Sequence, residues 1–154
     1  MAFKHTFTAQ LEWLAERTST TDRSYPKTHH ISIQGKQSIE VSAAKAFKGN
    51  PSLYNPEDLL LSSLMSCHMM SYLYVCSQHD IEVLSYNDKA QAFLETHSDG
   101  SGKIVEVRLS PSVVISDPSK ITLALSLHTQ ANKLCFIANS CNFDVHHEPT
   151  CASK

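Results

Sequence analysis

Between Leu59 and His79 the chain carries no Asp, Glu, Lys or Arg. The signal ahead of this stretch is a helix start: Asn55 caps, Pro56 takes the first helical position, and Glu57 and Asp58 suit the positive end of the dipole. A helix over 55–79 is therefore expected. It is long enough to raise the question of a membrane span, but five serines, two histidines and a glutamine in the window argue against one. A helix apolar nearly all round and not in lipid has to be buried in protein on most sides. The rest of the fold must be arranged around it.

The other elements read as strands and one further helix. Alternation from Phe3 to Trp13 predicts a half-buried strand, and polar residues 14–26 predict an exposed connection. The runs His29-Ile31-Ile33 and Ile39-Val41-Ala43 flank the turn "QGKQ" and predict a hairpin. After the helix, strand-like runs near Val83–Leu94 and Ile104–Ile115 enclose "HSDGSGK", which predicts a second hairpin. Asp117 and Pro118 repeat the start signature for a helix to about Cys135, with a further helical stretch to Cys141 and a closing strand near 143–147. The order β-β-β-α-β-β-α-β indicates an α+β fold in a single domain, 1–154: N-terminal strands and loop over 1–54, the central helix over 55–79, and a β-β-α-β lobe over 80–154.

Charge excludes some partners. A net charge of −2 without a basic cluster argues against nucleic acid or an anionic membrane, leaving small molecules or proteins. The N-terminus has no unbroken apolar core of a secretory signal, so a cytoplasmic location is expected. Five cysteines without CxxC spacing are expected to be mostly reduced thiols.

On residue type alone Cys67 has two readings. A cysteine in an apolar helix is commonly an inert small hydrophobe. A reactive thiol needs a cation from outside the helix, because Cys67 is too far along to benefit from the dipole. His68 points about 100° away from it and is expected to be a hydrogen-bonded core or interface histidine. A zinc set drawn from Cys67, His68, Cys76, His79, His146, His147 and Cys151 lacks the short spacings of a structural site. Cys76, Cys141 and Cys151 are assigned to packing or to a frayed C-terminus.

Asn55-Pro56-Glu57, the Leu- and Ser-rich stretch after it, Cys67 ten residues beyond Glu57, and Cys135 near the end of a later helix together resemble the OsmC/Ohr family of thiol-dependent hydroperoxide reductases. "FKGNPSLYNPEDLLLSSLMSCHM" is similar to an OsmC-like branch of it. The resemblance implies an interlocked α+β homodimer, with two sheet lobes around a buried cysteine-bearing helix. It implies that Cys67 is the peroxidatic thiol and Cys135 the resolving thiol. It also implies that Glu57 acts through a cation; the family uses an arginine, and here Lys48 stands just ahead of the NPE segment. Arg23 is a second candidate for that cation.

The implied reaction reduces organic hydroperoxides to alcohols as a stress or detoxification activity, with no cofactor and with an external dithiol or lipoyl-type reductant. The Leu- and Met-rich helix favours an apolar R group on the peroxide. The chain departs from the family where Cys135-Phe136-Ile137-Ala138 replaces the common Cys-Pro-x-Ser, and at Lys48. Those departures keep a second reading open, a non-catalytic dimer that binds an apolar small molecule. A Cys/His metal-binding protein is the third.

Overall fold

Asn55 does cap the helix. Its Oδ1 accepts the backbone N–H of Asp58 at 2.8 Å, and Asp58 Oδ2 accepts the backbone N–H of Asn55 at 3.2 Å, a reciprocal cap that satisfies two otherwise unpaired donors. Helix α1 then runs over Pro56–Gln78. The structure is a computed structural model that describes residues 2–15 and 25–154, so the candidate cation Arg23 lies outside the described residues. The chain divides into two compact units, Met1–Leu59 and Leu60–Lys154.

In the first unit β1 (Gln10–Glu12), β2 (His29–Ser32) and β3 (Ile39–Val41) form an antiparallel sheet in that order. The expected hairpin is β2–β3, turning through Gly35 at φ 77°, where the missing Cβ removes the steric penalty. The expected strand over Phe3–Trp13 shrinks to three exposed residues. Phe3 and Phe7 are 83% and 93% exposed. The alternation specified which side chains share a face, but a strand forms only where a neighbouring backbone pairs its N–H and C=O groups, and β2 pairs only Gln10, Leu11 and Glu12.

A 3-10 turn over Lys45–Phe47 ends at Lys48, which adopts a left-handed conformation with φ 60°. Gly49 follows because nothing larger fits. A Cβ built there would lie 1.6 Å from the Ala43 carbonyl oxygen, and its N–H donates to Ala44 O at 3.1 Å. Gly49→Ala is expected to destabilise this unit by about 3 kcal/mol or more, since the clash is with backbone that cannot rotate away. A urea midpoint equal to that of the unsubstituted protein would contradict it.

The second unit contains six strands rather than the three expected. The two long runs each break in the middle, giving β4 (Val83–Asp88), β5 (Gln91–Thr96), β6 (Gly102–Leu109) and β7 (Pro111–Ile115). The expected hairpin survives as β5–β6, while β4 pairs with β7 in a different sheet. The two breaks lie together: Asp88 Oδ1 accepts the Ser110 N–H at 2.8 Å, and Pro111 has no N–H to continue the ladder. After β7, Asp117 Oδ1 accepts the Ser119 N–H at 2.9 Å, a 3-10 turn covers Pro118–Lys120, and helix α2 spans Ile121–Leu134. The stretch towards Cys141 is a 3-10 turn over Ala138–Ser140.

Two strands close the chain. β8 (Asp144–His147) adds in parallel to β6, and β9 (Thr150–Ser153) adds in parallel to β7. Cys151 therefore belongs to a paired strand, not to a frayed end. The sheets are ordered β4-β7-β9 and β5-β6-β8. The fold class is α+β, as expected, with strand order extended to β-β-β-α-β-β-β-β-α-β-β.

Helix α1 is long and apolar enough by length and composition to cross a membrane, yet it works as a core helix. Leu64 packs with Val107 and Leu109 of β6, while Tyr72, Val75 and Cys76 pack with Val113 and Ile115 of β7 and with Ala124, Leu127 and Ala131 of α2. The expectation of cover on most sides holds for that side only. Ser62, Ser66, Met70, Leu73, Tyr74 and Ser77 remain exposed, on a face without a single charge.

Candidate active site

Cys67 lies at the middle of α1, and Cys135 caps the C-terminus of α2, where φ −73° and ψ 107° turn the chain out of the helix. The fold makes the two thiols neighbours, near enough for Cys67 to act on the titration of Cys135. Neither is oxidised: all five cysteines are free thiols. Cys67 is 9% exposed and Cys135 fully buried, so only the first can meet a molecule arriving from outside.

The opening over Cys67 is a pocket of about 350 Å³ lined by Cys67, Met70, Ser71, Tyr74, Leu134 and Phe136. Its walls carry no charge and are mostly apolar. Phe136, in the position where the Cys-Pro-x-Ser pattern has proline, is 80% exposed and stands at the rim. A second pocket on the other flank of α1, between Met65 and Met69 and the β4 residues Tyr86 and Asp88, contains no thiol.

Burial pushes the Cys135 thiol up to about 11, and the neighbouring Cys67 acts in the same direction. Opposing it, the backbone N–H of Ala138 donates to Cys135 Sγ at 3.4 Å. The main chain supplies this donor whatever side chain occupies position 138. Cys135 is thus a protonated thiol near neutral pH, suited to giving up its proton late in a reaction rather than to attacking first.

Glu57 and Lys48 belong to the first unit. Glu57 is in the first turn of α1, Lys48 is exposed at its left-handed position, and they form no ion pair with each other among the described residues. No group of three or more His, Cys, Asp or Glu is placed to hold a metal ion among the described residues.

Sequence reading missed the surroundings of His68. His68 is a buried, hydrogen-bonded histidine as expected, but its partner is His128 of α2, Nε2 to Nδ1 at 3.0 Å. His147 of β8 stacks on His68 with ring centroids 4.4 Å apart, and Tyr72 stacks on His128 at 3.9 Å. One signal was available. His128 falls in the apolar stripe Ala124, Leu127, His128, Ala131, where an imidazole has to find a buried partner.

Residues 49–149 match the family described as OsmC-like protein. The chain belongs to the OsmC-like family. An OsmC-like protein of unknown function from Vibrio cholerae is similar over 95% of this chain and 99% of its own, at 29% identity and a TM-score of 0.85. The organic hydroperoxide resistance protein of Elizabethkingia anophelis is similar over the whole of both chains, at 19% identity and a TM-score of 0.72. An organic hydroperoxide resistance protein, OsmC, from Legionella pneumophila has 15% identity and a TM-score of 0.72, over 96% of this chain and 97% of its own. These likenesses establish the OsmC-like fold. No curated protein matches the sequence.

Proposed function

We propose that this OsmC-like chain is a thiol-dependent peroxidase that reduces organic hydroperoxides to alcohols. The observation that carries the reading is the pairing of an accessible thiol, Cys67, with a buried neighbour, Cys135, beneath an apolar pocket. Two structurally similar proteins, from Elizabethkingia anophelis and Legionella pneumophila, are named for organic hydroperoxide resistance.

Cys67 sulfur, as thiolate, attacks the outer oxygen of ROOH; the O–O bond breaks, ROH leaves with a proton, and Cys67 becomes a sulfenic acid. Cys135 sulfur then attacks Cys67 sulfur, and the sulfenic hydroxyl departs as water with the Cys135 proton. The product is a Cys67–Cys135 disulfide. An external dithiol, lipoyl-type or smaller, returns both sulfurs to thiols and is itself oxidised. The apolar walls favour a peroxide with an apolar R group, which gains by leaving water, over hydrogen peroxide, which does not. Sulfur carries both electrons, so the reaction calls for no resident cofactor, and free thiols suit the reducing cytoplasm.

Glu57 and a cation, Lys48 or Arg23, are assigned to the same site as thiolate-stabilising groups on the strength of the family resemblance. Lysine offers one compact charge where arginine offers a planar fork, so a site built on Lys48 turns over more slowly. The uncharged lining of the Cys67 pocket favours one other reading, an apolar-molecule binder without catalysis. Consumption of cumene hydroperoxide in the presence of dihydrolipoamide separates the two: turnover supports the peroxidase, and an unmodified Cys67 after excess peroxide supports the binder.

The exposed, charge-free face of α1 and the bare Phe3 and Phe7 call for a second copy of this chain as cover, in an interlocked homodimer. Light scattering at micromolar concentration is expected to give twice the mass of one chain. A folded monomer would contradict the dimer.

A further inference from the structure

Two buried imidazole rings, on the helices that carry and end at the two thiols, have polar atoms that the proposed chemistry does not use. His68 is 1% exposed and His128 2%, and among the described residues the bond between them is the one hydrogen bond either ring makes. Whichever ring donates, one nitrogen on each is left over: His68 Nδ1 and His128 Nε2 are both buried without a partner. Two orphaned polar atoms destabilise a core that Leu or Phe would fill more favourably.

Such a pair contributes direction. The apolar contacts between α1 and α2 through Ala124, Leu127 and Ala131 are non-directional, and would tolerate one helix sliding along the other. A hydrogen bond would not. A slip of one residue translates a helix by about 1.5 Å and turns it by about 100°, well outside the narrow range of a 3.0 Å nitrogen–nitrogen bond. The Tyr72 hydroxyl, donating to Ala124 O at 3.1 Å one turn along, selects the same register. His147 backs His68 from β8. Cys67 directly precedes His68, and Cys135 ends α2 about two turns beyond His128. Disulfide formation is at least as demanding, since the two Cβ atoms must come within about 4.5 Å.

We propose that the His68–His128 hydrogen bond sets the register of α1 on α2 and so holds Cys67 and Cys135 within bonding reach of each other. Both histidines are positioning residues. The proposal deepens the peroxidase reading but rests only on its thiol pair, so it is tested without peroxide. The protein is equilibrated with glutathione buffers, in which two thiols and one glutathione disulfide give one protein disulfide and two glutathione thiols. The fraction of Cys67–Cys135 disulfide is read by peptide mass mapping.

His128→Phe is expected to lower the equilibrium constant at least tenfold, about 30 mV in potential. His68→Phe/His128→Phe leaves no orphaned nitrogen in either ring and is expected to restore stability to urea without restoring the constant. His128→Asn, whose side-chain amide reaches the Nδ1 position, is expected to recover most of it. A stable double variant with the unsubstituted protein's constant would overturn the proposal, because the histidines would then serve stability alone. Absence of the disulfide in the unsubstituted protein at every buffer ratio would overturn both this and the peroxidase reading. A disulfide that forms with glutathione, is lost in the Phe variants, and accompanies no peroxide turnover upholds this proposal and removes the other.

Discussion

Cys67→Ser is expected to bring peroxide consumption down to the rate of buffer alone, whereas Cys135→Ser keeps one rapid turnover and then stops. The asymmetry follows from burial. Cys67 opens to the apolar pocket, and Cys135 is closed off and held as a protonated thiol, pushed up to about 11. Without Cys67 no sulfur in the pair meets the peroxide. Without Cys135 the sulfenic acid forms on Cys67 but nothing intercepts it, and excess peroxide carries it to sulfinic acid, which dithiols do not reduce. Stopped-flow consumption at one and at ten equivalents of cumene hydroperoxide, followed by intact mass, distinguishes the variants. A disulfide from Cys67 to Cys76, Cys141 or Cys151 in Cys135→Ser would assign resolution to that other cysteine.

Acid is expected to destabilise the protein before its carboxylates titrate. Burial, with the neighbouring His147 adding to it, lowers His68 to about 3 and His128 to about 4, from about 6.5 in the unfolded chain. Both values are depressed, so the folded state binds fewer protons. The stability these rings provide as neutral groups is complete above about pH 6.5 and is lost as pH falls toward the folded values. At pH 5 each histidine has given up about 2 kcal/mol, together about 4 kcal/mol, against a typical domain stability of about 5–15 kcal/mol. His147, also lowered by burial, acts in the same sense. Asp88 opposes it, since burial raises its carboxyl and its protonation favours the folded state. Urea titrations at pH 7 and pH 5 are expected to show the loss in the unsubstituted protein and a much smaller one in His68→Phe/His128→Phe. Equal losses in the two would place the acid sensitivity elsewhere.

The sequence made legible those parts of the fold that depend on local chemistry. Asn55-Pro56 marked the start of α1 because a cap and a proline act within one turn, and Asp117-Pro118 marked the start of α2 for the same reason. The hairpin around Gly35 was visible because turn residues act locally. Pairing partners were not. Alternation over Phe3–Trp13 cannot say that only three residues would meet β2, nor does Val83–Leu94 announce that it serves two sheets. β9 was missed because four residues at a chain end carry no periodic signal, while its pairing to β7 is a long-range event.

The same distinction holds at the site. Cys67 and Cys135 were singled out by family resemblance, and 67 residues of intervening chain hid that they are neighbours until the fold closed. His68 was read correctly as a bonded core histidine, but its partners His128 and His147 come from a helix and a strand distant in sequence.

Peroxidase turnover depends on one bond forming between the sulfurs of Cys67 and Cys135. Treating the reduced protein with one equivalent of cumene hydroperoxide, blocking free thiols and mapping the peptides by mass spectrometry tests it directly. The expected result is a single disulfide joining Cys67 to Cys135, with Cys76, Cys141 and Cys151 alkylated. Recovery of Cys67 as a free, alkylated thiol after that treatment would contradict the peroxidase account.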